Sequence, residues 1–327
     1  MELAREFGFN RVKIAPAYSQ VGIEHYDRFL SKGFHGTMSW MVRSRPPRAD
    51  LRQLLPDAKS VVVLGLDYRH PRPPKPEYMS GRVSCYAWGR DYHKIIGKQL
   101  RNFTKRLQSI NPEISTYWGV DSRPLIERAW AQEAGLGFLG KNCHIISPAE
   151  SSYFFLAVML INQTLEPDKP IVKDHCGRCS RCLDLCPTAA FINPYQLDSR
   201  RCISYLTIEY DGVIAPELAK KMGDWVFGCD ICQDVCPHNH KELLSKHPDL
   251  APRPKHAWLD LEWLFRADEQ EILDELAGTP LRRAGVDRLR RNAAVCLSNQ
   301  NLGRKDRMQV ECWMAESSPF VRAHFRV

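Results

Sequence analysis

The residues with the clearest chemistry are four cysteines in the stretch "HCGRCSRCLDLCP". Cys176, Cys179, Cys182 and Cys186 follow the spacing C-x2-C-x2-C-x3-C, and Pro187 closes the run. This spacing is typical of bacterial iron–sulfur proteins, whereas zinc sites usually pair two C-x2-C knuckles or combine one knuckle with histidines. Disulfides are not favoured, because the chain opens MELAREFGFN, without the regions of a secretory signal. We therefore predict an iron–sulfur protein of the cytoplasm.

The run also implies a second group of cysteines, because in two-cluster ferredoxins the fourth cysteine of such a run binds the other cluster. The stretch "GCDICQDVCP" supplies Cys229, Cys232 and Cys236 but is one ligand short. Cys202 is the natural replacement, and the eight thiolates then suffice for two 4Fe–4S clusters that conduct single electrons. The predicted ligands are Cys176, Cys179, Cys182 and Cys236 for the first cluster, and Cys186, Cys202, Cys229 and Cys232 for the second.

Composition places the chain among ordinary globular proteins. It has 327 residues, of which 44% are hydrophobic and 10% aromatic, enough for two or three domains. The longest apolar stretch, Tyr153–Ile161, is about half as long as a membrane-spanning helix. It predicts a buried strand, and we expect no membrane partner and a monomeric protein.

The positive charge is concentrated near the C-terminus. The formal net charge is +8, and residues 281–307 hold eight Arg or Lys against two Asp. Arginines alternate there with apolar residues at helical spacing, which predicts a helix with a docked apolar face and a basic face in solvent. Two interpretations stay open, a merely solvated face or one that binds a polyanion such as RNA. The arginines proposed for RNA are Arg282, Arg283, Arg290 and Arg291, and Cys296 and Cys312 are predicted to be small buried residues.

The pattern along the chain predicts an α+β protein with three segments. Residues 1–168 alternate helical and strand patterns, including a strand at 60–68 and a helix after "GRDYH", which indicates an α/β domain. Residues 169–255 carry the cluster ligands. Residues 256–327 contain short amphipathic helices that resemble one helical-repeat pair.

The most suggestive catalytic stretch is "YWGVDSRPLIERAW". Asp121 ends a short strand-like run, and the sequence predicts that a helix starts at residues 122–124. Two interpretations compete from the pattern alone. Asp121 and Ser122 cap the helix, or Asp121 is a reacting group at a strand end.

Two other motifs are misleading. The stretch 135–142 matches G-x-G-x-x-G, but it follows a predicted helix instead of opening one, so no dinucleotide site is predicted. Asp91, His93 and Gly97 almost match the D-x-H-x-x-G pattern of cobalamin proteins whose histidine binds cobalt. The glycine comes one position late, so we predict no histidine ligand to cobalt.

These motifs together resemble the epoxyqueuosine reductases, cobalamin-dependent enzymes of tRNA modification that are related to reductive dehalogenases. The resemblance implies reduction of epoxyqueuosine to queuosine at the wobble position of tRNA, the last step of queuosine biosynthesis. It implies that two 4Fe–4S clusters feed a base-off cobalamin, and that an acid protonates the departing oxygen. It covers nearly the whole chain and rests on the eight cysteines and on Tyr86–Lys94, Val120–Asn142, Arg201–Glu209 and the Cys229 run.

The resemblance also implies roles for individual residues. Asp121 is the expected acid, and the cobalamin pocket is expected to include Cys85, Asp121, the backbone around Ile145, and Arg45. Residues 1–168 become a cobalamin-binding domain, 169–255 a ferredoxin-like domain, and 256–327 a short HEAT-like segment that contacts tRNA. The partners implied are the tRNA anticodon stem-loop and an unidentified low-potential electron donor. The further residues expected near tRNA are Arg128, Ser204 and Tyr205.

Two alternatives remain at this stage. A cytoplasmic enzyme related to reductive dehalogenases would share cobalamin and two clusters, but such enzymes normally carry a twin-arginine signal and a membrane partner. A ferredoxin-type electron carrier would explain the cysteines. It would leave the basic segment and the stretch around Asp121 without a role.

Overall fold

The computed structural model describes residues 2–17, 21–148, 150–171, 173–240 and 244–325. The strands in these residues are β1 (Arg11–Pro16), β2 (Ser60–Asp67), β3 (Ser80–Val83), β4 (Thr116–Gly119), β5 (Phe138–Leu139), β6 (Ile145–Ile146), β7 (Phe154–Ile161), β8 (Phe191–Asn193), β9 (Gln196–Leu197), β10 (Trp225–Phe227) and β11 (Trp258–Asp260).

The helices in the same residues are mostly short. They are α1 (Glu2–Glu6), α2 (Ile23–Ser31), α3 (Ser39–Arg43), α4 (Arg45–Ala49), α5 (Tyr92–Ile110), α6 (Glu127–Glu133), α7 (Arg181–Asp184), α8 (Ile203–Ile208), α9 (Pro216–Ala219), α10 (Ile231–Asp234), α11 (Leu261–Arg266), α12 (Glu269–Glu275), α13 (Val286–Ser298), α14 (Arg304–Glu316) and α15 (Pro319–Arg322). None of them is long and apolar enough to cross a bilayer.

A four-stranded sheet with the order β1-β2-β7-β4 organises the N-terminal half. The two apolar runs in the sequence form its central strands, β2 and β7, which are buried along almost their whole length, as predicted. All three pairings are antiparallel. The α+β class is confirmed, whereas the expectation of an α/β domain is wrong for this sheet, because α/β domains are built on parallel strands.

A second sheet joins the three predicted segments. Strand β3 lies between β10, which is parallel to it, and β11, which is antiparallel. The segments meet so closely that a Cβ atom at Gly81 would lie 2.8 Å from the side chain of Val226. Each segment therefore contributes one strand to a shared sheet, and the segment boundaries and the HEAT-like likeness of 256–327 stay predictions.

Helix α5 carries part of the candidate site at its start. The Asp91 carboxylate accepts a hydrogen bond from the His93 amide at 3.0 Å, which caps the helix. Tyr92, Ile96 and Leu100 recur at helical spacing and are buried against the sheet. The cap and this apolar stripe hold Tyr92 and His93 in the first turn of a rigid helix.

The basic C-terminal helix forms as predicted from Val286 onward, but two of its arginines point inward. Arg291 is completely buried and donates to the carbonyl oxygens of Tyr210, at 2.6 Å, and Leu206, at 2.5 Å. Arg290 donates to Leu264 and Ala267 at the end of α11. The prediction that Arg291 contacts RNA is wrong, because its side chain is completely buried, whereas Arg290 is half-exposed and its contact with RNA stays a prediction.

Replacing Arg291 by Gln should destabilise the fold. The shorter amide cannot reach all the carbonyl groups that the guanidinium serves, and leaving buried acceptors unpaired costs about 3 kcal/mol in the free energy of unfolding. The urea midpoint measures this loss. Arg282→Gln is the matched control, because Arg282 is exposed and its loss should cost less than about 0.5 kcal/mol. Equal midpoints for the two variants would contradict the structural role of Arg291.

Candidate active site and cluster sites

Four of the predicted cluster ligands surround one cavity. Cys176, Cys179, Cys182 and Cys236 line a space of about 40 Å³, and their thiols are free. Burial, and then the nearby thiolates of Cys176 and Cys236, raise the pKa of Cys182 to about 11. Thiolates that repel one another in this way are suited to a positively charged group placed between them. The cavity therefore fits the first predicted cluster.

The other four ligands gather deeper in the protein. Burial raises the pKa of Cys229 and of Cys232 well above the ordinary value, and Cys202 and Cys186 contribute to both shifts. Cys202 thus lies with the Cys229 group, as its role in the second cluster requires. Within the described ranges, no three His, Cys, Asp or Glu side chains meet closely enough to bind one metal ion.

Cys312 and Cys296 lie apart from these sets. Cys296 is fully buried in α13, as predicted. Cys312 is exposed on α14, so the prediction of a buried residue is wrong there. The helical pattern of α14 indicates a helix but not which of its faces is covered.

Asp121 lies just after β4 and does not cap a helix. Helix α6 begins only at Glu127, and its N-terminal residue Ile126 provides no side-chain cap. The buried guanidinium of Arg48 instead donates to the carbonyl oxygens of Leu125 and, at 3.4 Å, Arg123, which keeps residues 121–125 out of the helix. The capping interpretation is therefore wrong.

The Asp121 carboxylate belongs to a hydrogen-bonded group with the start of α5. The hydroxyl of Tyr92 donates to Asp121 Oδ2 at 2.6 Å, and His93 Nε2 lies 3.5 Å from the same oxygen. Arg283 forms an ion pair with Asp91 at 2.6 Å and lies over the Tyr92 ring. The C-terminal segment therefore reaches the site through Arg283.

These contacts set the charge of the pair formed by Asp121 and His93. Burial acts to raise the pKa of Asp121, but the hydrogen bonds from His93 and Tyr92 outweigh it and hold that pKa below its ordinary value. Burial acts to lower the pKa of His93, but Asp121 and Asp91 outweigh it and raise that pKa. A proton bound by the pair therefore resides on the imidazole and not on the carboxylate.

Open space remains beside this carboxylate. The side chain of Asp121 is 64% exposed. Its partner Tyr92 belongs to a cluster of buried aromatic rings, stacked on Phe155 at 4.2 Å and 6.0 Å from Tyr86. Asp121 thus lies in an open position beside an aromatic cluster, which leaves room for a ligand.

Glu127 is a second acid near this open position. Burial and then the charge of Asp121 raise the pKa of Glu127 to about 7, and its Oε1 atom is buried without a hydrogen-bond partner among the described residues. Glu127 is therefore a carboxyl group that is partly protonated at neutral pH.

Cys85 and Ile145 both adjoin the second cysteine set. The buried Cys85 donates its amide to Asp230 Oδ2 at 2.8 Å, and Asp230 follows the ligand Cys229. His144, the neighbour of Ile145, lies with its Nε2 3.8 Å from the sulfur of Cys232. Two of the residues predicted for cobalamin are therefore brought together beside the deeper cluster set.

Arg45 is not joined to that group. Its guanidinium forms a two-pronged ion pair with Asp27, at 2.9 and 2.7 Å, and both side chains are more than a third exposed. The prediction of Arg45 as a pocket residue is not supported by any contact with Asp121 or Cys85 among the described residues. Arg48, one helical turn later, is the arginine that holds the Asp121 segment.

The residues predicted to contact tRNA fall into two classes. Arg128 and Arg282 are exposed, and Ser204 is half-buried on α8. Tyr205 is buried, and its hydroxyl accepts a hydrogen bond from the Thr37 amide at 2.8 Å. The prediction for Tyr205 is therefore wrong in this conformation, because its side chain is internal and its hydroxyl is engaged.

Sequence analysis missed His93 and Arg283 as parts of the acid site. The D-x-H pattern drew attention to His93 only as a cobalt ligand, and Arg283 was assigned to RNA. A signal for His93 was present, because a histidine in the first turn of a helix beside an acid-bearing strand end is a candidate proton carrier. Nothing local in the sequence indicates that Arg283 meets Asp91.

Comparison with known proteins agrees with this arrangement. A family described as "4Fe-4S double cluster binding domain" matches residues 175–239, and one described as "Epoxyqueuosine reductase QueG, DUF1730" matches residues 48–122. The epoxyqueuosine reductase of Pseudomonas aeruginosa is 42% identical over 299 residues, which are 90% of this chain and 83% of that protein. That of Xanthomonas campestris is 38% identical over 327 residues, 98% of this chain and 92% of that protein.

Solved structures show the same relationship. An epoxyqueuosine reductase crystallised with an epoxyqueuosine-modified tRNA-Tyr stem loop superposes with a TM-score of 0.87 at 32% identity, over 98% of this chain and 86% of that one. The Bacillus subtilis enzyme superposes with a TM-score of 0.85 at 31% identity, over 98% of this chain and 86% of that one. That structure is described with the loop of its catalytic aspartate swung out of the active site. From this sequence similarity and shared fold, the chain belongs to the epoxyqueuosine reductase family and is an oxidoreductase.

Proposed function

We propose that this protein reduces the epoxide of epoxyqueuosine in tRNA to the alkene of queuosine. The observation that carries the proposal is the open position of the Asp121–His93 pair within a chain that also gathers eight cysteines into two sets. Converting an epoxide to an alkene and water consumes two electrons and two protons. The cysteine sets are suited to supply the electrons, and the acid pair to supply a proton.

The cysteines define the direction of electron flow. The first set includes the loop that carries the exposed residues Gly177 and Arg178, whereas the second set adjoins Cys85 through Asp230. We infer that 4Fe–4S clusters held by the two sets carry single electrons from the surface inward. The 4Fe-4S family match over residues 175–239 supports this inference.

Cys85, Asp121 and the backbone around Ile145 are the residues that would hold cobalamin. When bound, the cofactor would supply a strongly reducing cobalt centre beside the epoxide. The protein's own part is to exclude water and to place a proton donor.

The proton comes from the pair and not from an isolated acid. With a lowered pKa, Asp121 alone would be ionised at neutral pH, whereas His93, with a raised pKa, is the better holder of a proton and lies 3.5 Å away. Asp121 relays the imidazole proton to the departing oxygen, and the imidazole then takes up a proton from solvent. The Tyr92 hydroxyl orients the carboxylate through its 2.6 Å hydrogen bond.

The modified anticodon stem-loop of tRNA is the proposed substrate, and we propose that a single chain binds it. The exposed residues Arg128 and Arg282, with Ser204, remain candidates for contacts with the RNA. The known complex of a relative with a modified tRNA stem loop supports this partner. Residues 1–168 would then bind cobalamin, 169–255 the clusters, and 256–327 part of the RNA.

Anaerobic reconstitution tests the function. The protein is loaded with iron, sulfide and cobalamin, reduced with dithionite and incubated with tRNA that carries epoxyqueuosine. Nucleoside analysis should show queuosine formed only when cobalamin and reductant are both present. A fully loaded protein that leaves epoxyqueuosine unchanged would refute the proposal, and dehalogenation of a halophenol instead would favour the reductive dehalogenase alternative.

The rate should depend on the protonation of His93. Because the imidazole must be protonated to supply the proton, single-turnover rates should fall as pH rises through the raised pKa of His93. His93→Gln should lower the rate about tenfold or more and remove this fall, since Gln cannot carry the proton. His25→Gln, at an exposed position, is the control and should keep the parental profile. An unchanged profile for His93→Gln would exclude His93 as the proton carrier.

A further inference from the structure

We propose that an acidic one-electron carrier protein, with an iron–sulfur or flavin group, docks beside the first cysteine set. The surface consists of Lys173, Arg178, Arg181, Leu185 and Tyr195, and is called the docking face below. This inference rests on the proposed function, because it concerns how electrons reach that set.

The docking face is built from the same chain segments as the ligands. Arg178 lies between Gly177 and Cys179, and the Leu185 amide donates to the Arg181 carbonyl at 3.0 Å across the helix that carries Cys182. Tyr195 donates its amide to the carbonyl of Lys141 at 3.1 Å. The Lys141 ammonium in turn donates to the carbonyls of Gly177 and Cys179, at 2.6 and 2.9 Å. A protein that covers this face therefore comes directly against the ligand loop.

The docking face carries three cationic side chains beside two carboxylates, which leaves a net positive charge. Lys173, Arg178 and Arg181 are exposed, and none of the ion pairs in the described parts of the chain involves them. The two acids nearby are engaged locally. Asp174 accepts from the Cys176 amide at 2.8 Å, and Asp184 accepts from the Ser180 hydroxyl at 2.6 Å. Such a face attracts an acidic partner and raises its association rate at low salt.

Apolar groups lie among these charges. The side chain of Leu185 is 51% exposed and Tyr195 is 36% exposed. Exposed apolar side chains among charged ones are typical of a transient protein interface, and electron-transfer partners form the smaller interfaces of this kind. A surface of this composition suits a carrier protein that binds briefly, delivers one electron and dissociates.

The position favours a carrier over tRNA as the occupant. The substrate base must reach Asp121, and none of Asp121, His93 or Tyr92 is among the residues that line the cavity of the first set. The second cysteine set adjoins Cys85. Electrons that enter at the docking face would therefore pass from the first set to the second before they reach Cys85. A carrier and a tRNA could then be bound at the same time.

The proposed step transfers one electron and neither forms nor breaks a covalent bond. The reduced carrier loses one electron, and the group held by Cys176, Cys179, Cys182 and Cys236 gains it, with no proton moved. Two encounters supply the two electrons that one epoxide consumes. The protons come separately from the acid pair and from solvent.

Charge reversal on the docking face tests the proposal through binding. The variant Arg178→Glu/Arg181→Glu, reconstituted with iron and sulfide, is titrated with a purified acidic plant-type ferredoxin over a series of salt concentrations. We expect the Kd to rise at least tenfold at low salt and its salt dependence to flatten. The control, Arg304→Glu/Lys305→Glu, changes the same charge on exposed residues of α14 and should keep the parental Kd.

Further measurements distinguish weaker docking from loss of the iron–sulfur group. Only variants with parental iron content are compared, and Arg178→Gln/Arg181→Gln replaces the reversal if that variant loses iron. Ferredoxin should reduce the variant more slowly, whereas dithionite should reduce it at the parental rate. Unchanged ferredoxin affinity, an equal loss in the control, or loss of tRNA affinity alone would overturn the proposal. Failure of the proposed function would look different, because dithionite-reduced parental protein would then leave epoxyqueuosine unconverted.

Discussion

Asp121→Asn should reduce the rate of epoxyqueuosine reduction by about a hundredfold or more, the scale expected when a general acid is lost. The amide can still accept the hydrogen bond from Tyr92, but it cannot relay a proton from His93 to the departing oxygen. Asn also suits the backbone, because Asp121 has a left-handed φ of 57° that Asn tolerates well. Single-turnover conversion of modified tRNA measures the effect.

The control for Asp121 is Asp249→Asn, at an exposed ion pair with Arg90 whose acid and basic atoms are 3.4 Å apart. It should keep the parental rate, because an exposed pair contributes little to stability. Iron and cobalamin contents should stay parental in both variants. If Asp121→Asn retains its cofactors and still turns over at the parental rate, Asp121 is not the acid, and Glu127→Gln becomes the next variant to measure.

Cys202→Ala should remove the second cluster and with it nearly all turnover. The parental protein should bind about eight iron and eight acid-labile sulfide per chain, without stoichiometric zinc, and the variant should bind about four of each. Cys202 lies with Cys186, Cys229 and Cys232. A cluster that lacks one of its four thiolate ligands is easily lost from the protein. Because the second set separates the first from Cys85, turnover should fall at least about a hundredfold, as expected for a broken electron path.

Cys312→Ala is the matched control for this measurement. Cys312 is an exposed cysteine on α14, outside both sets, so its removal should change neither the iron content nor the rate. A parental iron content in Cys202→Ala would show that the ligands are paired differently. Only about four iron in the parental protein would show that a single cluster is bound.

Local chemistry in the chain was sufficient to predict much of this protein. The spacing of the cysteines determines which thiolates can share a cluster, so both sets, including the distant Cys202, follow from the sequence. Continuous apolar runs can be accommodated only in buried strands, which is why β2 and β7 were predicted correctly. Asp121 was found because an acid at a strand end is a local feature.

The tertiary structure decided how these parts meet. The antiparallel order of the main sheet depends on pairings between distant segments, which no local pattern specifies. The same is true of the shared sheet β10-β3-β11. Helical periodicity could not distinguish the exposed Arg282 from the buried Arg291, because burial depends on the elements that pack around α13.

The proton-carrying group depends most strongly on tertiary structure. Arg283, Asp91 and Asp121 come from three separate parts of the chain, and their pKa shifts arise from distances that exist only after folding. Sequence alone therefore determined which residues can bind metal and which carboxylate ends a strand. Folding decided that His93 lies 3.5 Å from Asp121 and shifts its pKa, because charge interactions depend on separation in space and not along the chain.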